Sequence, residues 1–179
     1  MPDYRRLYEN GGTYFFTVVT YHRYPVFQGD NAVALLNNCI EIIRRDHPFV
    51  IEAYVILPDH LHMIWTLPET DCDFSLRWNL IKGNFSRRYG MEWESPSMSR
   101  GKKREKAIWQ RRFWEHLVRD QNDFNRLCDY IHYNPVKHGL AKSPVAWRHS
   151  TFRDFQAKGL YPEGWGLTVS KELNEMALE

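Results

Sequence analysis

Only three of the 179 residues are cysteine (Cys39, Cys72, Cys128), and no two of them form a Cys-x-x-Cys pair. So few, in an odd number and so scattered, exclude a disulfide framework and a structural zinc knot. No apolar run approaches the ~18 residues that a membrane span needs. The opening Met1-Pro2-Asp3-Tyr4-Arg5-Arg6 holds no secretory apolar segment, so residence in the cytosol is expected. There is no glycine-rich phosphate loop of the Walker type, no internal repeat and no low-complexity tract. A strong net charge is missing as well, since 24 Lys and Arg face 22 Asp and Glu. What the chain does have is a composition that is 43% hydrophobic and 15% aromatic, enough for a packed core. Residues 1–149 read as one domain and 150–179 as a C-terminal tail, and beyond Gly139 the chain gives only weak signals for order.

The near-neutral total hides an uneven distribution. Residues 77–112 carry eleven Lys and Arg against three Glu, while the rest of the chain is net negative. A basic stretch of this kind is either a solvated surface or the footprint of a polyanionic partner.

Gly12–Tyr21 (GTYFFTVVTY) is aromatic and β-branched and reads as a strand. Asp30 is placed to cap a helix that runs to about His47, with Leu35, Leu36, Cys39, Ile42 and Ile43 as its apolar stripe. Phe49–Leu57 reads as a largely buried strand, Pro58-Asp59 as a tight turn and His60–Leu67 as the returning strand. Asp73 is placed to cap a second helix whose inner face carries Phe74, Trp78, Ile81 and Phe85. Residues 91–107 are loop-like, and Ile108–Val118 reads as a further strand. Another helix begins near Asp120 and is expected to end at Pro135. The order up to residue 118 is βαββαβ, which predicts an α+β, ferredoxin-like antiparallel sheet with two helices on one face and the last helix appended.

His60 and His62 are two apart on a predicted strand, so both point to one face, where two imidazoles can hold a divalent cation. Two ordinary hydrogen-bonded histidines would give the same pattern. On the helix from Asp120, Phe124, Leu127, Cys128 and Ile131 mark the core side by their spacing. Tyr130 and Asn134 then fall together on one border of that stripe, and Tyr133 points away from the core. Asn134 offers a neutral carbonyl oxygen to the same cation, near the negative end of the helix dipole. An asparagine before a proline is equally a helix terminator.

Three stretches together resemble a known family. They are Leu57-Pro58-Asp59-His60-Leu61-His62, Trp109-Gln110-Arg111-Arg112-Phe113-Trp114, and Tyr130-Ile131-His132-Tyr133-Asn134-Pro135-Val136-Lys137. They are similar to the single-tyrosine HUH transposases, and within these to the branch associated with repetitive extragenic palindromes (REP). The resemblance runs from about Tyr4 to Trp165. It implies a ferredoxin-like enzyme that cuts and rejoins single-stranded DNA beside hairpins. Tyr130 would be its nucleophile, and His60, His62 and Asn134 the ligands of Mg²⁺ or Mn²⁺. Some related transposases carry Gln where Asn134 stands. The implied product is a 5′-phosphotyrosine link with a free 3′-hydroxyl, so rejoining needs no ATP.

On this reading Arg77, Lys82, Arg87, Arg88, Lys102, Lys103, Arg104, Arg111 and Arg112 hold DNA phosphates without reading sequence. Trp93, Trp109 and Trp114 are candidates for stacking on unpaired bases, with burial the expected fate of the last two. The tail after Ser150 would help to recognise bases near the hairpin. The resemblance leaves monomer and homodimer open and places no membrane among the partners. Two alternatives stand beside it: a non-catalytic hairpin-binding protein on the same fold, and a metal-dependent hydrolase in which water attacks and Tyr130 is structural.

Overall fold

A computed structural model describes residues 6–89, 108–168 and 171–176, with the side chains of Glu172 and Asn174 aside. Its centre is a four-stranded sheet in the order β2-β3-β1-β4. The strands are β1 (Thr13–Val19), β2 (Val50–Ile56), β3 (His60–Thr66) and β4 (Trp114–Leu117), and every neighbouring pair is antiparallel. With α1 (Asp30–Asp46) and α2 (Phe74–Arg88) between them, the order is the expected split βαβ arrangement.

The helices divide between the two faces because the central strands are apolar on both. Tyr14, Phe16 and Val18 of β1 join Leu61, Met63 and Trp65 of β3 in one core with α1 and α2. Phe15 and Ile64 face the other way, into a second cluster with Leu127, Cys128, Tyr130 and Ile131. Those last four belong to α3 (Gln121–Lys137), which therefore lies across the opposite face of the sheet. Among the described residues, no helix is long and apolar enough to cross a membrane.

Two helix starts form as their sequence signals indicate. The Asp73 carboxylate accepts from the Leu76 amide at 2.8 Å, and the Asp120 carboxylate accepts from the Asp123 amide at 2.8 Å. The start of α1 differs. Its N-cap is Gly29, with no side-chain cap bond, and Asp30 sits in the first turn. The Asp30 carboxylate is drawn instead to Arg148 and His149.

The end of α3 and the length of β4 also depart from expectation. Pro135 lies inside the last turn of α3, and the helix continues to Lys137. The expected strand 108–118 breaks into two contacts with β1. Trp114 pairs with Thr17, and Trp109 forms an isolated bridge with Thr20. Four residues on one side thus lie opposite two on the other, and the surplus pushes Arg111 and Arg112 out as an exposed bulge.

Residues 140–168 are tied closely to this frame. The Ile56 amide donates to the His149 carbonyl at 2.9 Å, the Trp147 indole donates to the Ile56 carbonyl at 3.0 Å, and Ser150 bridges Val55. These contacts cover the outer edge of β2, which would otherwise present unpaired backbone. Tyr133, expected to point away from the core, is buried because this segment folds back over α3. Gly166 makes the closure possible: at φ +78° a Cβ there would stand 2.6 Å from Pro144 Cγ. Beneath it lies a buried polar chain. Tyr161 donates to Asp129 at 2.8 Å, and the two ring nitrogens of His132 engage the Tyr161 hydroxyl at 3.0 Å and the Thr151 hydroxyl at 2.9 Å. Burial pushes the His132 imidazole down to about 3, so it is neutral in this network.

The first turn of α3 is pinned by charge. Asp123 is buried, and its carboxylate accepts from His116 Nε2 at 2.7 Å and from the Arg119 amide at 3.1 Å, with Arg126 at 3.4 Å. Burial works to raise the carboxyl, but the bonds from Arg119 and His116 outweigh it and hold the group well below the usual carboxylate range. A depressed acid stabilises the fold above its unfolded pKa of about 3.9, and that contribution is lost as pH falls below it. Asp123→Asn is expected to cost about 2 kcal/mol at pH 7. It should also flatten the loss of stability below pH 4, as read by denaturant melts across pH.

Candidate active site

The Pro58-Asp59 turn launches β3 so that His60 pairs with Val19 and His62 with Thr17, both imidazoles facing α3. Each ring is anchored through Nδ1. His62 Nδ1 lies 2.9 Å from Thr17 Oγ1, and His60 Nδ1 lies 2.6 Å from Asp59 Oδ1. Asp59 is itself braced by Arg23, whose guanidinium donates to its other oxygen at 3.1 Å. Burial works to raise the Asp59 carboxyl, yet the hydrogen bonds from His60 and Arg23 keep it below the usual range. Arg23 reaches it from a tight turn, Tyr21–Arg23, in which His22 and Arg23 both adopt φ 53°. A carboxylate on Nδ1 fixes the tautomer of His60 and leaves Nε2 as the nitrogen that can ligate.

Helix α3 brings its own groups to these rings. The Tyr130 ring meets His62 edge to face at a centroid distance of 5.2 Å. Two turns further along the same stripe, His138 meets His60 at 5.1 Å. The two histidines are 5.0 Å apart. Asn134 falls midway between the two helix–strand contacts, one turn beyond Tyr130 and one before His138. Its side chain is fully buried, and neither its amide nitrogen nor its amide oxygen has a hydrogen-bond partner among the described residues. A buried primary amide without partners is costly and needs a reason. A cation shared with the imidazoles would supply one for the oxygen.

The donor set therefore fits a weakly held, open divalent site: two imidazole nitrogens and one amide oxygen. Among the described residues no group of three or more His, Cys, Asp or Glu is placed to enclose a metal. Lys137 completes the surroundings, with Nζ 4.8 Å from the centre of the Tyr130 ring.

Residues 10–134 match the model of the family described as "Transposase IS200 like". The chain belongs to that family. A REP-associated tyrosine transposase of Escherichia coli (strain K12) is 44% identical over 95% of this chain and 94% of its own length. A relative from Haemophilus influenzae (strain ATCC 51907 / DSM 11121 / KW20 / Rd) is 41% identical over 93% of this chain and 94% of its own. A solved REP-associated tyrosine transposase bound to a REP hairpin shares 42% identity and a TM-score of 0.79, with 96% of both chains covered. These likenesses place the chain in the REP-associated branch of the IS200-like transposases.

The basic residues singled out from sequence fare differently. Arg77 is a correction. It is 1% exposed, and its guanidinium is consumed by the His47, Pro48 and Asp73 carbonyls and by Asp71 at 2.7 Å. In this arrangement it locks α2 to the end of α1. Lys82 is half-buried and donates to the Gln110 carbonyl at 2.7 Å, bracing the bulge. Arg87, Arg88, Arg111 and Arg112 are exposed, with Arg88 reaching Asn38 at 2.6 Å. Lys102, Lys103, Arg104 and Trp93 lie outside the described residues. Trp109 is buried, while Trp114 is half-buried against Phe15 on the α3 face.

Several contributors escape a reading of sequence alone. Thr17 is a site residue only through strand register. Asp59 reads as a turn former, and its grip on His60 appears only in three dimensions. His138 carried a usable signal, since it stands eight residues after Tyr130 and four after Asn134.

Proposed function

We propose that this chain cleaves and rejoins single-stranded DNA next to REP-type hairpins, through a 5′-phosphotyrosine formed on Tyr130. The observation that carries this reading is the convergence in one chain of the Tyr130 phenol, the anchored His60 and His62, and the buried, unpartnered amide of Asn134. A hairpin-binding module has no use for such a set. The REP-hairpin-bound relative supports the substrate class.

His60, His62 and Asn134 would hold Mg²⁺ or Mn²⁺, and the bound ion supplies charge neutralisation at the scissile phosphate. Asp59 and Thr17 keep the two imidazoles oriented for that task. Tyr130 donates the attacking oxygen in line with the departing 3′ oxygen. Phenols are weak nucleophiles at neutral pH, with a pKa of about 10, so a neutralised electrophile matters here. Exposed Arg87, Arg88, Arg111 and Arg112, with Lys102, Lys103 and Arg104, would track the phosphates of the hairpin arm.

The reading is tested by metal binding and cleavage together. Mn²⁺ titration followed by electron paramagnetic resonance should show binding that His62→Ala weakens by at least ~10-fold. A hairpin-bearing single strand should be cut in Mn²⁺ or Mg²⁺ and left intact after chelation. Cutting that is indifferent to chelator, or Mn²⁺ affinity unchanged in His62→Ala, would contradict the assignment.

A further inference from the structure

We propose that Lys137 is a further catalytic residue, whose ammonium neutralises a non-bridging oxygen of the phosphodiester that Tyr130 attacks. The proposal rests on the strand-transfer reading above and assigns a residue to which that reading gives no part. Three observations carry it. Lys137 stands seven residues after Tyr130 and three after Asn134, so all three share one stripe of α3. Its Nζ lies 4.8 Å from the centre of the Tyr130 ring, and the attacking oxygen sits on the rim of that ring. Its side chain is half-buried, in a place where water screens a charge less than at the open surface.

In the present structure the ammonium donates to the Met176 carbonyl. A phosphate oxygen is charged and a carbonyl is not, so DNA arriving at Tyr130 offers Lys137 the stronger acceptor. In the reaction a bond forms between the Tyr130 oxygen and phosphorus while the bond from phosphorus to the 3′ oxygen breaks. The phenol gives up one proton and the departing 3′ oxygen takes up one, so protons balance and nothing is oxidised or reduced. The non-bridging oxygens remain anionic throughout. A cation fixed beside them favours the crowded transition state over free DNA, and it serves the reverse step equally.

The test uses the full chain, a hairpin-bearing single strand, and the same strand with a methylphosphonate at the scissile position, where a methyl group replaces one charged oxygen. Lys137→Met keeps the stem and removes the charge; Lys137→Arg keeps the charge. On the natural phosphodiester, Lys137→Met should form the covalent adduct ~100-fold more slowly, with most of the rate restored in Lys137→Arg. On the neutral methylphosphonate, the unaltered protein and Lys137→Met should react at the same rate. Unchanged reaction of Lys137→Met on the phosphodiester overturns the proposal. So does an equal loss on both substrates, which is what a tether holding Tyr130 or Met176 in place would produce. If the unaltered protein forms no adduct, the strand-transfer reading itself falls, and this proposal with it.

Discussion

Tyr130→Phe should leave no detectable covalent protein–DNA adduct and lower strand cleavage by at least ~10³-fold, while binding the same hairpin as well as the unaltered protein. Only a hydroxyl is removed. The ring keeps its edge contacts with His62 and Phe15 and its place under Lys137, so the helix face survives the change. Gel-shift titration on the hairpin separates binding from chemistry, and a denaturing gel reads the adduct. Undiminished cutting by Tyr130→Phe would transfer the attack to water and turn the enzyme into a metal-dependent hydrolase.

The second large effect concerns stability. Arg77→Leu keeps an apolar stem but strips the donors from three backbone carbonyls and from Asp71. Breaking a buried, fully bonded cation in this way costs about 3–5 kcal/mol. For a chain of this size that lowers the melting temperature by roughly 10 °C, measured by circular dichroism. Hairpin affinity of the folded fraction should not move, and neither should its salt dependence. A weakened, less salt-sensitive complex at unchanged melting temperature would return Arg77 to the DNA surface.

Arg77 also shows where sequence patterns stop informing. Its neighbours Phe74, Trp78, Ile81 and Phe85 declare the buried face of α2 by spacing, and all four are buried. Arg77 lies on the margin of that face. Its charge suggested solvent, and only the nearby end of α1, with the open His47 and Pro48 carbonyls, explains why it turns inward. Most local signals behaved well: Asp73 and Asp120 cap their helices, and the alternation in His60-Leu61-His62 puts the imidazoles together, whereas Asp30 is drawn from its cap toward Arg148 and His149. Signals that depend on distant segments did not. Tyr133 points away from the sheet, as the period demands, but the chain after residue 140 returns to cover it. Pro135 continues its helix because its missing N–H falls in the last turn, where one bond is forgone. The single strand expected from Ile108 to Val118 failed for a similar reason, since its apolar character hides the surplus that opens between Thr17 and Thr20 on the partner strand.

The partners of the two histidines follow the same rule. A β-strand places His60 and His62 on one face by itself, but the atoms that hold their Nδ1 positions come from β1 and from the turn. Register across strands, unlike period along one strand, is a property of the whole sheet.

The most direct measurement attaches a label to one end of the hairpin-bearing strand at a time, incubates it with the unaltered protein and Mn²⁺, and resolves the products under denaturing conditions. Label on the segment downstream of the cut should migrate with the protein, and label on the upstream segment should appear as free DNA ending in a 3′-hydroxyl. Label retained from the upstream segment, or cut DNA with no label on the protein at all, would contradict attack by the Tyr130 phenol.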